Sequence, residues 1–564
     1  MKIFRNLLTM LAVSMLTLTV ACGEDDPIIN PEPEKPTTPP QPDEPDEPGE
    51  PEEPDDPNED DPTDERPFSV RWNPNLSFKG EILTPTLKYN ILLPQEYFSN
   101  PDAKFPVMYL FHGYGDDITT WGSGHSLDIQ SIDASAVAQG LTGPVIYVMP
   151  QGWNSYFVNR YNGDFMYMDM LTQEFIPMID KMLPTIAEPR GRAVAGFSMG
   201  GFGALSAGGK YPNVFGTCIG LSPSMNTDQQ YMYLGGWDSQ WGSNFGGVGT
   251  TGEARLTDHY KMLCPLHFFN DDPVSNFTNL KIMFDCGDEE ERIYEASGEL
   301  HNILRDRGIR HEYRVGHGGH SGSYAKNSLI EGMALFREAC YGVPFPEETT
   351  ISITKGNAPA PKEITAGNAH ISVYTGSYYR NNDNTRLICV EIGSCPSSIT
   401  KANVASMLAN TLNRRNTAVA IVETPANCTA TPDDFFAAVE TALERSFSDD
   451  KKHIIVAGDN ISILGSLAWT ASVASFAAYD TNLTFPEGAK ATAKLTFLDV
   501  TDDGKNYKNM LNLFCTVRNT TGSDSSKTQD RAEYRVHNGS NNNTGAESGV
   551  ANIINYMYTS LPTN

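Results

Sequence analysis

The sequence predicts an α/β protein, a mostly parallel sheet with helices on both faces, built twice over with only the first copy complete. Three observations carry this expectation. Apolar runs alternate with amphipathic stretches from Phe68 to about Pro344, the same rhythm returns after about Thr349, and short segments of the first half reappear in order in the second. The length of 564 residues also exceeds one core, since domains usually hold on the order of 100 to 200 residues.

At the amino end, Met1-Lys2-Ile3-Phe4-Arg5 carries two cations and is followed by a mostly apolar run from Leu7 to Ala21. That is the layout of a secretory signal, and it is short for a bilayer span of about 20 residues. The run ends at Thr19-Val20-Ala21-Cys22-Gly23, which resembles a bacterial lipoprotein box with Cys22 as the acylated residue. Leu18 stands four positions before the cysteine, where such boxes usually have leucine three before. The acidic Glu24-Asp25-Asp26 resembles the surface-export tether of Bacteroidota lipoproteins. The resemblance implies a signal over residues 1–22 and a chain on the outer membrane facing the cell exterior, touching the membrane only through its lipid.

Residues 23–67 repeat proline with acid, as in Asp43-Glu44-Pro45-Asp46-Glu47-Pro48. Like charges repel and proline favours extended geometry, so a disordered, semi-stiff stalk is expected. Between Gly23 and Pro67, 19 acidic residues face only Lys35 and Arg66, so most of the net charge of −29 sits in the stalk. With a pI near 4.7 and no basic stripe, nucleic acid is excluded as a partner. Of nine cysteines, the eight after Cys22 show no CxxC pair and no metal-ligand spacing, so neither a bridge, a metal nor a cofactor is predicted.

Residues 68–345 are expected to form the catalytic unit. Strands are predicted at Thr86–Leu93, Val107–Phe111, Val145–Met149, Ala193–Ala195, Thr217–Leu221, Lys281–Phe284 and Glu312–Val315, with helices at Asp169–Leu183, Phe202–Lys210 and Glu291–Arg307. The run Ala193-Val194-Ala195 enters Gly196-Phe197-Ser198-Met199-Gly200-Gly201, a strand-to-helix elbow. Such a turn is tight enough to need flanking glycines, and it exposes the serine oxygen at a helix N-terminus. A serine hydroxyl attacks only when a base takes its proton, and the base needs an acid behind it. Two later strand ends offer both: Asp285-Cys286-Gly287-Asp288-Glu289-Glu290, and Gly316-His317-Gly318-Gly319-His320. The order serine, acid, histidine is that of the α/β-hydrolase fold.

These motifs resemble the esterase D-like family, which includes the feruloyl and acetyl xylan esterases of carbohydrate esterase family 1. The residues that carry the likeness are Leu110-Phe111-His112-Gly113, Met149-Pro150-Gln151-Gly152, Gly196 to Ala204, Asp285-Cys286-Gly287 and Gly318-Gly319-His320. The resemblance implies Ser198 as nucleophile and His320, rather than His317, as base. It puts the acid three residues after the glycine of the Cys-Gly pair, on Glu290, where the family usually has aspartate; Asp288 remains the runner-up. It also implies an oxyanion hole from the amides of Tyr114 and Met199. His301 and His311 are assigned to the surface.

Aromatic residues gather on segments that this topology places at the rim: Trp121, Trp153 and Tyr156, then Tyr231, Tyr233, Trp237 and Trp241 in the insertion after Ser222-Pro223. Aromatic faces stack on sugar rings or phenolic acyl groups. With the tether, they point to a polysaccharide such as xylan bearing acetyl or feruloyl esters. Two alternatives are cleavage of another small ester, or acyl transfer, on the same fold, and a non-catalytic glycan-binding lipoprotein. Oligomeric state is not legible.

In the second half, Glu533-Tyr534-Arg535-Val536 repeats Glu312-Tyr313-Arg314-Val315, and Val456-Ala457-Gly458-Asp459-Asn460 answers Val194-Ala195-Gly196-Phe197-Ser198. Leu498-Asp499 answers Phe284-Asp285. This register puts Asn460 at the nucleophile, Gly504 at the acid and Asn541 at the histidine. Residues 346–369 are therefore expected as a linker and 370–564 as a degenerate, non-catalytic α/β domain.

Overall fold

The computed structural model describes residues 66–233, 238–290, 292–346, 353–501, 504–521, 532–537 and 542–560. The expected signal, Cys22, the stalk to residue 65, Trp237 and Asn541 lie outside the described residues.

Eight strands build the first half: β1 (Trp72–Phe78), β2 (Leu87–Leu92), β3 (Val107–Phe111), β4 (Ile146–Pro150), β5 (Arg192–Phe197), β6 (Thr217–Leu221), β7 (Lys281–Gly287) and β8 (Glu312–Gly316). Residues of β3, β4 and β6 are all buried, as expected of strands covered on both faces. Four helices matter here: α1 (Ile129–Ala138), α2 (Met199–Lys210), α3 (Ile293–Asp306) and α4 (Gly322–Tyr341). The Asp128 side chain caps α1 by accepting from the Gln130 amide. Ser321 caps α4 in the same way, through the Tyr324 amide. The helix predicted at Asp169–Leu183 is present, but its middle, Leu171–Phe175, is wound as a π-helix just ahead of Pro177.

The second half contributes β9 (Lys362–Ala366), β10 (Ala369–Thr375), β11 (Arg386–Ile392), β12 (Thr417–Glu423), β13 (Lys452–Ala457), β14 (Ser475–Tyr479), β15 (Thr496–Thr501) and β16 (Ala532–His537). The sheet order is β1-β2-β4-β3-β5-β6-β7-β8-β16-β15-β14-β13-β11-β12-β10-β9. From the far edge inward, the second half thus repeats the first, place for place. Antiparallel pairs also fall alike, at β1·β2 and β2·β4 in one half and β9·β10 and β10·β12 in the other.

The two halves share one sheet. β8 and β16 pair antiparallel through Val315 and Val536, so one 16-stranded sheet runs through residues that form a single unit from Pro67. The expected linker is shorter than 346–369, because β9 lies inside that range and pairs with β10. Beside the strand seam, α3 packs on α5 (Tyr507–Thr521). Tyr294 meets Phe514 at 5.0 Å, and Gly298 has no room for a Cβ, which would stand 2.5 Å from Leu511. His301, assigned to the surface from sequence, is 1% exposed and lies 4.2 Å from the Tyr507 ring. His311 sits beside it, its Nε2 2.8 Å from His301 Nδ1, and burial lowers its pKa to about 4. An apolar seam, which the sequence does not announce, has drawn the His301 ring inward, and His311 is half-buried beside it.

Candidate active site

Ser198 follows β5 directly and starts α2 with φ 58° and ψ −116°, a strained turn at the carboxyl end of a central strand. Both glycines of the motif are needed for close approach. A Cβ on Gly196 would meet the Gly200 carbonyl at 2.3 Å, and one on Gly200 would meet the Phe111 carbonyl at 2.3 Å.

His320 comes from the turn after β8 and Glu290 from the turn after β7. His320 Nε2 lies 2.8 Å from Ser198 Oγ, and Nδ1 lies 2.7 Å from Glu290 Oε2. The other carboxylate oxygen accepts from Ser222 Oγ at 2.7 Å and the Gly287 amide at 2.7 Å, leaving the Glu290 side chain 1% exposed. Phe197 stacks under the imidazole at 4.7 Å. A carboxylate on Nδ1 fixes the tautomer in which Nε2 accepts the serine proton. The extra methylene of glutamate is absorbed because Ser222 and Gly287 hold the carboxylate from behind. Asp288 is turned the other way, toward the second half. His317 lies 3.6 Å from Asp288 Oδ1.

Met199 opens α2, so its amide lacks an acceptor four residues back, and Tyr114 stands exposed on the loop after β3. That loop is pinned by His112. Its Nδ1 donates to the Gly113 carbonyl at 2.8 Å, and its Nε2 accepts from the Gly152 amide at 2.9 Å. Burial lowers the pKa of this ring, which suits the neutral tautomer that such a pair of bonds requires. Asn154 then fixes the next amide, Gly115, at 2.8 Å.

The aromatic rim needs four corrections, at Trp121, Tyr156, Tyr231 and Trp241. Trp121 is wholly buried in the core under β2 to β4, because the chain folds back at once into α1. Tyr156 is also wholly buried, wedged 4.4 Å from Trp241, with its hydroxyl receiving Gln240 Nε2 at 2.6 Å and 3.3 Å from Ser224 Oγ. Trp153 remains partly exposed, edge-on to Phe165 at 5.4 Å. Tyr231 and Trp241 are buried, whereas Tyr233 is exposed.

Sequence reasoning passed over Ser222, whose hydroxyl holds the acid; the signal was a polar residue at the end of the apolar strand β6. It also left Asp285 without a role. This carboxyl is fully buried beside Glu290, bonded to the Ser222 amide at 3.2 Å and to Ser328 Oγ. Burial, with Glu290 adding, pushes its pKa up to about 7 from 3.8. Between those values the folded chain keeps a proton that the unfolded chain loses, so stability falls as pH rises through the window. Asp285→Asn is expected to raise the melting temperature at pH 8 by on the order of a few degrees, with the gain vanishing below pH 4. A calorimetric scan at the two pH values checks this.

In the second half, the residue that answers Ser198 by strand register lies two positions before the one read from sequence. The Gly458 amide donates to Tyr479 O as Ser198 donates to Leu221 O, and the Asp480 amide donates to Asp499 O as Ser222 donates to Asp285 O. Strand register therefore puts Gly458, not Asn460, at the nucleophile position. A side chain there would meet Cys395 Sγ at 2.4 Å. Where the first half has the long helix α2, the second has only the short helix Leu467–Thr470 between β13 and β14.

Residues 81–336 match the family model described as "Putative esterase". Esterase Rv1288 of Mycobacterium tuberculosis is 29% identical over 273 residues, 45% of this chain and 53% of that protein. The chain thus spans about half the length of these relatives. An endo-1,4-beta-xylanase/feruloyl esterase of Xylanibacter ruminicola is 33% identical over 133 residues, 22% of this chain and 18% of that protein. A solved ferulic acid esterase superposes with TM-score 0.41 and 20% identity, covering 48% of this chain and all of that one. The stretch from 81 to 336 thus matches an esterase family model over its whole length and carries a serine elbow on a mostly parallel sheet, the arrangement of the α/β-hydrolase fold.

Proposed function

We propose that the chain is a serine esterase that removes acetyl or feruloyl groups from plant-type polysaccharides such as xylan. The observation that carries this reading is the unbroken relay from Ser198 Oγ through His320 to Glu290, at 2.8 and 2.7 Å. His320 takes the serine proton as Oγ attacks the ester carbonyl, and Glu290 stabilises the imidazolium. The amides of Met199 and Tyr114 hold the oxyanion, and His320 returns the proton to the departing alcohol. Water then repeats the sequence on the acyl-serine. Loss of one oxyanion donor costs about 10²- to 10³-fold in such chemistry.

Trp153 and Tyr114, both reaching the surface on the loops after β4 and β3, are the proposed surfaces for the acyl or sugar group. Cys22 is proposed as the lipid anchor on the outer membrane, and the mass of the mature N-terminus tests it. The second half is proposed as a degenerate copy, a reading supported by the matched strand order and by the repeat at Glu533 to Val536.

p-Nitrophenyl acetate, methyl ferulate and acetylated xylan test the substrate class. The reading expects turnover of the p-nitrophenyl ester and of at least one natural-type ester. Turnover of none, or of the p-nitrophenyl ester alone, would contradict it.

A further inference from the structure

Asp288 sits two residues before Glu290 and is fully buried. Its Oδ1 accepts from the Gly318 amide at 3.2 Å, two residues before His320. Its Oδ2 accepts from the Tyr534 amide at 3.1 Å and from Arg535 Nη1 at 2.6 Å, both in the second half. Arg518 Nη2, on α5, reaches the Asp288 carbonyl at 2.8 Å. The Asp288 amide donates to Gly316 O at 2.9 Å and the Glu289 amide to Gly318 O at 3.0 Å, so the two catalytic turns are laced together at this residue. Arg535 is oriented by Glu533 and lies over the Phe497 ring at 5.4 Å.

We propose that Arg535 is a positioning residue for ester hydrolysis: through Asp288 it holds the Glu290 turn and the His320 turn at the spacing their proton relay needs. The second half then serves catalysis through its seam with the first, and its own pocket need bind nothing. A buried carboxylate is strongly disfavoured without a partner, and the first half alone offers Asp288 one hydrogen bond, from the Gly318 amide, and the half-exposed His317 ring at 3.6 Å, both on Oδ1. With Arg535 and the Tyr534 amide in place, the carboxylate is fixed between Gly318 and β16. A relay of two bonds near 2.7 Å tolerates little displacement, and about 1 Å of misplacement can cost about 100-fold in rate. Asp288, His317 and Glu533 bring donor atoms within 4.8 Å of one another, and Arg535 in their midst makes the group an ion-pair net.

The inference rests on the esterase reading, and its test separates the two. In the full chain, Arg535→Gln is expected to lower kcat on p-nitrophenyl acetate about 10- to 100-fold with KM within about twofold. It should also remove the downfield proton resonance of His320 Nδ1 while circular dichroism shows a folded chain. Arg535→Lys should recover part of both. Lys508→Ala breaks an exposed ion pair with Asp306 across the same seam, 2.7 Å long, and should change neither readout. Asp288→Asn, which offers one acceptor oxygen where two are used, should reproduce the kcat loss, and it decides the matter if Arg535→Gln does not fold. Full kcat and an intact resonance in Arg535→Gln, or an equal loss in Lys508→Ala, would overturn the proposal. The resonance needs no substrate, so a chain that cleaves no ester would defeat the esterase reading while Arg535 is still judged by the spectrum.

Discussion

Ser198→Ala is expected to lower kcat on p-nitrophenyl acetate by about 10⁶-fold while the fold stays in place. Among the described residues the hydroxyl is the nucleophile paired with a base, and its bond to His320 Nε2 contributes nothing to the elbow itself. That turn is held by backbone: the Ser198 amide donates to Leu221 O, and the Phe202 and Ser224 amides donate to Ser198 O. Alanine keeps all three bonds. Initial rates, with circular dichroism as the control for folding, check the result.

Glu290→Gln is expected to cost about 10⁴-fold in kcat, with KM little changed. The amide matches the carboxylate in length and can still accept from Ser222 and Gly287. If its NH₂ then faces His320 Nδ1, the ring must carry its proton on Nε2, the atom that has to accept from Ser198. Asp288→Asn disturbs the site only through backbone and is expected to fall well short of that loss. Steady-state kinetics on both variants separate the two carboxylates, and equal losses would contradict the assignment of roles.

Much of this site was legible because it lies at the ends of buried strands. β3 and β6 match their predicted ranges, since a strand covered on both faces reads as one apolar run. The serine, the histidine and the acid each follow such a run within a few residues. β1 was missed: it is an edge strand, Asn73-Pro74-Asn75 interrupts it, and its pairing shifts between Asn73 and Leu76. Trp121 and Tyr156 show a different limit. Residue type marks an aromatic ring, but its direction depends on how the following segment folds back. The repeat at Glu533 to Val536 kept its register because a strand fixes it. The residue answering Ser198 in the second half was misplaced by two because only a short helix, Leu467–Thr470, follows β13, so no Gly-x-Ser-x-Gly pattern marks the turn. The continuous sheet had no sequence signal, since a backbone edge pairs through groups common to all residues.

The most direct test is to expose the chain to a fluorophosphonate, locate the adduct by peptide mass spectrometry, and repeat the experiment on His320→Ala. The account predicts a single adduct on Ser198 that forms far more slowly without the imidazole. An adduct on another residue, or ester turnover that continues while Ser198 is fully blocked, would contradict it.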